Sequence, residues 1–81
     1  MTKLEILDEL KKIFTLVVNR NMDVSTIKME SKIVNDLGVS SVGLIYLMVA
    51  IEETFDIDMS DASFDSFETV QDVVNYIYDK E

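Results

Sequence analysis

The residues with a plain route to chemistry lie in Asp36-Leu37-Gly38-Val39-Ser40-Ser41-Val42, where a glycine turn runs into a strongly apolar helical segment. The turn delivers Ser41 to the first position of that helix. Backbone N–H groups there lack intrahelical partners and the helix dipole is positive, so a phosphate ester on the Ser41 hydroxyl would sit in a favourable field. This offers covalent modification rather than catalysis. The chain has no cysteine and no histidine, which removes thiol nucleophiles and disulfides along with the commonest general base and metal ligand. Asp56, Asp58 and Asp61 partly match the spacing of a calcium loop, but the central glycine and final bidentate glutamate are not at the required positions, so no metal site is expected.

The serine needs a helix to present it, and Ser41 to about Phe55 supplies one that is apolar on two faces. At about 100° per residue, Leu44, Leu47, Met48, Ile51 and Phe55 form a core stripe. Val42, Ile45, Tyr46 and Val49 cluster elsewhere with Glu52 and Glu53, on the side of Ser41. An apolar patch rimmed by acids suits partner docking; burial of both stripes in a small bundle is the alternative. Thr2 and Glu5 predict a capping box for a first helix running to about Val18, with Leu4, Leu7, Leu10, Phe14, Val17 and Val18 at helical spacing. The stretch onward to Gly38 is long for a connection between helices, so Ile27, Ile33, Val34 and Leu37 are expected to pin it as an ordered loop. A short helix is expected near Ser63 to Phe67, and Thr69 is the N-cap of a final helix carrying Val70, Val73, Val74 and Ile77. The expected fold is all-α: a small four-helix bundle with three principal helices, one short helix and a long ordered loop, forming a single domain over residues 1–81.

Charge separates the partner classes. The net charge is −9, which argues against nucleic acid, because phosphate backbones require neutralisation by Lys or Arg. From Ile33 to Asp79 the acids Asp36, Glu52, Glu53, Asp56, Asp58, Asp61, Asp65, Glu68, Asp72 and Asp79 meet no base. A protein partner should therefore be basic. No segment is long or apolar enough to span a bilayer and the N-terminus has no basic stretch leading into an apolar run, so a cytoplasmic monomer is expected.

The serine segment resembles the acyl carrier protein family, whose signature is Leu-Gly-x-Asp-Ser-Leu. Leu37, Gly38 and Ser41 match, Val42 stands for leucine and Ser40 for aspartate. Ile33-Val34-Asn35-Asp36 before it, Ala50-Ile51-Glu52-Glu53 and Phe55-Asp56-Ile57 after it, and Thr69-Val70-Gln71 with Tyr76-Ile77 extend the likeness across the second half of the chain. The resemblance implies a 4′-phosphopantetheine arm on Ser41, donated by CoA, that carries acyl intermediates as thioesters. It implies no catalysis by the chain itself. The implied partners are a phosphopantetheinyl transferase, an acyl- or aminoacyl-loading enzyme and pathway enzymes with basic docking surfaces, recognising the helix of Val42, Ile45, Tyr46, Val49, Glu52 and Glu53.

Phe55, Met59 and Phe67 are candidates to shelter an acyl chain, with ordinary core packing as the alternative. Ser40, Gly43 and Tyr46 stand where typical fatty-acid carriers have acids. That favours a dedicated polyketide, peptide or modified-lipid pathway. Housekeeping fatty-acid synthesis and an unmodified, carrier-like interaction adaptor are the alternatives.

Overall fold

A computed structural model describes residues 1–17, 23–62 and 67–80. Three α-helices account for most of them: α1 (Lys3–Phe14), α2 (Ser41–Phe55) and α3 (Val70–Lys80), with a 3-10 turn at Val24–Thr26. The described part of the chain is all-α; its one β-type pairing is the isolated antiparallel bridge between Lys32 and Thr69. The short helix expected near Ser63 falls mostly outside the described residues, as does Val18.

The capping box on α1 is formed: the Thr2 hydroxyl accepts from the Glu5 amide at 3.1 Å, and the Glu5 carboxylate accepts from the Thr2 amide at 2.8 Å. Two otherwise orphaned donors are thereby satisfied. Ile6, Leu7, Leu10, Ile13 and Phe14 then turn into the core. The helix stops at Phe14, short of the expected Val18. Thr15 ends it, its hydroxyl donating to the Lys12 carbonyl at 2.6 Å, an alternative that threonine offers to further helix. Leu4 is exposed despite its helical spacing, and so is Leu16.

The long connection is held by backbone pairing as well as by apolar anchors. Ile33 N–H donates to Glu68 C=O at 2.9 Å, Val70 N–H to Ser31 C=O at 2.9 Å, and Gln71 N–H to Met29 C=O at 2.8 Å. The loop is thus zipped to the entry of α3, while Ile27, Ile33, Leu37 and Val39 are buried beneath it. Val34, expected as a fourth anchor, faces solvent instead. Thr69 caps α3 as its sequence predicts: its hydroxyl accepts from the Asp72 amide at 3.3 Å, and the Asp72 carboxylate accepts from the Glu68 and Thr69 amides at 3.0 Å. α1 packs against both α2 and α3, and Val70, Val73, Val74 and Ile77 complete one continuous core with Leu47 and Ile51 of α2.

Candidate functional site

The turn before α2 is built from short-range hydrogen bonds. The Asp36 carboxylate accepts from the Lys32 amide at 2.9 Å, and the Lys32 carbonyl accepts from the amides of Asp36 and Leu37. Gly38 closes it at φ +69°, a left-handed conformation that costs glycine nothing. Nothing lies within 4 Å of where its Cβ would stand, so the backbone angle, not space, calls for glycine. Val39 then drops into the core at 1% exposure and fixes the start of α2.

The two adjacent serines do different work. Ser40 is the N-cap, its hydroxyl accepting from the Gly43 amide at 3.1 Å. Ser41 is the first helical residue and is exposed, and among the described residues its hydroxyl has no hydrogen-bond partner. No acid lies in the first turn of α2. Beside Ser41 opens a cleft of about 500 Å³ whose walls are Val34, Leu44 and Phe67, with Lys32, Asn35 and Glu68 at its polar side. Lys32 Nζ stands 3.9 Å from a Glu68 carboxylate oxygen there. A free hydroxyl at a helix N-terminus, next to a cleft with apolar walls and the base Lys32, suits a phosphate-linked arm.

On the outer side of α2, Val42, Ile45, Tyr46 and Val49 are between 48% and 76% exposed. Leu47 and Ile51 are buried, with Leu44, Met48 and Phe55 packed partly against the core. The two stripes are therefore separated as their spacing predicts. Glu53 is exposed, whereas Glu52 is half-buried and its carboxylate accepts from the Met59 amide at 3.0 Å. Glu52 thus also ties down the loop after α2. That loop begins at Asp56, which takes the left-handed φ of 54° as the C-cap, a conformation aspartate tolerates better than most residues.

Phe67 lines the cleft by Ser41, Met59 lines a second cavity of about 340 Å³ with Ile45, Met48, Val49 and Ala62, and Phe55 lines neither. Met59 and Phe67 both belong to the core, where Phe67 meets Tyr76 edge-on at 5.4 Å.

One cluster had no signal in the sequence. The Tyr76 hydroxyl donates to the Asp61 carboxylate, and Lys80 Nζ donates to the same group at 3.0 Å. These donors, Tyr76 first, hold the Asp61 carboxyl below the usual carboxylate range. Burial, then the hydrogen bond to Asp61 and its charge, push the Tyr76 phenol up. Asp58 is likewise lowered by the Ser60 amide at 2.8 Å. Side chains fifteen to nineteen positions apart carry no periodic signature. Among the described residues no group of three or more His, Cys, Asp or Glu side chains could hold a metal ion.

A family model described as a phosphopantetheine attachment site matches residues 8–77. The chain is 40% identical over 72 residues to the acyl carrier protein of Campylobacter lari, covering 89% of this chain and 91% of that protein. The chain belongs to the acyl carrier protein family. A second relative, the acyl carrier protein of Clostridium acetobutylicum, is 46% identical over 56 residues, covering 69% of this chain and 73% of its own. In fold it is similar to the solution structure of the apo doublet acyl carrier protein from prodigiosin biosynthesis, with a TM-score of 0.75 and 24% identity. That match covers 98% of this chain, which spans 38% of the solved one.

As a member of this family the chain bears a covalently attached 4′-phosphopantetheine. Its relatives are carriers rather than catalysts. The carrier role entails interaction with a phosphopantetheinyl transferase and with pathway enzymes. No described helix is long and apolar enough to cross a membrane.

Proposed function

We propose that Ser41 is the attachment residue and that the protein is a single-domain carrier serving a dedicated polyketide, peptide or modified-lipid pathway, acting as a cytoplasmic monomer. The observation that carries the assignment is the division between the two serines: Ser40 is spent on the helix cap, while Ser41 offers an exposed, unbonded hydroxyl beside the cleft. The arm supplies the thiol that this cysteine-free chain lacks, and acyl groups ride on it as thioesters. The chain itself contributes the attachment hydroxyl, the field of the α2 N-terminus and a docking face of Val42, Ile45, Tyr46 and Val49, with Glu52 and Glu53 at its edge.

The dedicated pathway is supported by that face, which has no acid in the first turn of α2. Housekeeping fatty-acid synthesis is the second reading, favoured by the 40% identity to a carrier whose name specifies no specialised pathway. The attachment is tested by incubating the protein, Ser40→Ala and Ser41→Ala with CoA and a broad-specificity phosphopantetheinyl transferase, followed by intact-mass measurement and peptide mapping. Only Ser41→Ala should fail to gain the arm. An arm on Ser40, or on neither serine, overturns the assignment.

A further inference from the structure

We propose that Lys32 is the counter-ion of the Ser41 phosphodiester and seats the proximal part of the arm in the cleft between the Lys32 turn, α2 and the entry to α3. This rests on Ser41 being the modified residue. Three features of the cleft carry it.

The first is scarcity of positive charge. Among the described residues Lys32 is the only base lining the cleft, and the sequence has no other from Ile33 to Asp79. The second is a fixed mount. The Lys32 amide donates to Asp36, its carbonyl accepts from Asp36 and Leu37, and it is bridged to Thr69. Its backbone therefore cannot drift, and only the side chain remains to choose a partner.

The third is the weakness of its present partner. Lys32 Nζ and the Glu68 carboxylate stand 3.9 Å apart, with side chains 49% and 73% exposed, and such pairs contribute little. Attachment of the arm places a permanently ionised phosphodiester in the same cleft. An ammonium bonds an ionised phosphate through short, charge-assisted contacts, and Glu68, being mostly in water, loses almost nothing when released. Val34, Leu44 and Phe67 offer apolar walls to the methyl groups that adjoin the phosphate in the arm. Lys32 and these walls together lay the arm's first segment along the cleft.

The test uses the arm-bearing protein, made with CoA and the transferase, as wild type, Lys32→Gln and Glu68→Gln, with occupancy of Ser41 checked by mass. The readouts are the ³¹P chemical shift of the phosphodiester and nuclear Overhauser contacts from the arm's methyl groups to Val34 and Leu44, at low and high salt. Lys32→Gln should move the ³¹P shift toward that of the same phosphodiester in the urea-unfolded arm-bearing protein and weaken the methyl contacts, and salt should do the same to wild type. Glu68→Gln should do the opposite, because it removes the competing anion. A Lys32→Gln spectrum superimposable on wild type overturns the proposal. So does a Glu68→Gln variant that behaves like Lys32→Gln, since Lys32 would then act only through its ion pair. Should Lys32→Gln fold poorly, the wild-type salt series and Glu68→Gln decide alone. Failure of wild type to take the arm on Ser41 is a separate outcome and defeats the attachment reading itself.

Discussion

A Cβ on Gly43 would stand 3.0 Å from Cγ1 of Val39, a side chain buried to 1% exposure, and 3.8 Å from Cβ of Val17 at the end of the first helical segment. The glycine therefore serves internal packing between the start of α2 and the chain leaving α1. Helix propensity alone would reward Gly43→Ala by about 1 kcal/mol, but overpacking a well-filled site costs about 1–3 kcal/mol. Val39 is buried in the core and must shift within it to make room, so the steric cost should win. Gly43→Ala is expected to lower stability by up to about 2 kcal/mol in urea denaturation. A higher urea midpoint would show that Val39 yields.

The adjacent serines should separate stability from modification. Ser40→Ala removes the hydroxyl that receives the Gly43 amide, and loss of such a cap costs about 1 kcal/mol. Ser41→Ala removes an exposed, unbonded hydroxyl and should change stability by less than about 0.5 kcal/mol. Thermal melts of the two apo variants check this. Equal losses would mean that Ser41 also supports the helix start.

Much of this arrangement was legible because it is local. Thr2 with Glu5 and Thr69 with Asp72 are caps whose partners lie three residues away, and Leu47 and Ile51 follow one helical face into the core. What escaped is non-local. The pairing of Ser31 and Ile33 with Val70 and Glu68 is too short to leave an alternating pattern. The spacing of Leu4 and Val34 could not show that no second layer covers them. The second contact of Glu52, its reach to the Met59 amide seven residues on, follows from the chain reversal at Asp56 and leaves no mark in the spacing of α2. The candidate site divides the same way: Ser41 could be placed from its own segment, whereas the Lys32 and Glu68 side of its cleft needed the fold.

Docking and folding should come apart along α2. Ile45 is 50% exposed, so Ile45→Ala should weaken transferase binding, through faster dissociation, at a stability cost below about 1 kcal/mol. Glu53→Gln should mainly slow association, as rim charges do. Glu52→Ala should do both, because it also strips the Met59 amide of its acceptor. Surface plasmon resonance and melting curves on the same samples check this. An Ile45→Ala protein that unfolds would assign that stripe to the core.

Acid should unfold the protein through a small set of carboxylates. Asp61, bonded by Tyr76 and Lys80, and Asp72, bonded first by the Thr69 amide, both titrate below the ordinary aspartate value in the folded state. Their stabilisation is present above the unfolded value, about 3.9, and is lost as pH falls through the lowered folded values. Melting temperature should therefore drop below about pH 4, and Asp61→Asn and Asp72→Asn should each be less stable at neutral pH with a shallower acid limb. The Tyr76 phenol is raised above 10.0, so its contribution is present below pH 10 and lost as pH rises through the folded value. A pH titration of melting temperature reads both limbs. An unchanged acid slope in both variants would assign acid unfolding to other carboxylates.

The dedicated-pathway reading predicts poor handling by generic fatty-acid elongation enzymes. A basic enzyme surface loses about 0.2–1 kcal/mol for each exposed charge pair that its carrier fails to supply, and here Ser40 and Tyr46 supply none. Ser40→Asp keeps an N-cap acceptor for the Gly43 amide and adds an anion at the α2 N-terminus. Tyr46 is 50% exposed, so Tyr46→Glu adds a second charge without opening the core. Gly43 is left alone, because an aspartate there would press on Val39. The double variant should be elongated about 2- to 30-fold more efficiently than the parent, the range that two such pairs allow. The gain should shrink at high salt, because an electrostatic advantage is screened while an apolar one is not. If the unaltered carrier is elongated as fast as the double variant, the missing acids place no barrier before those enzymes and housekeeping fatty-acid synthesis becomes the better reading.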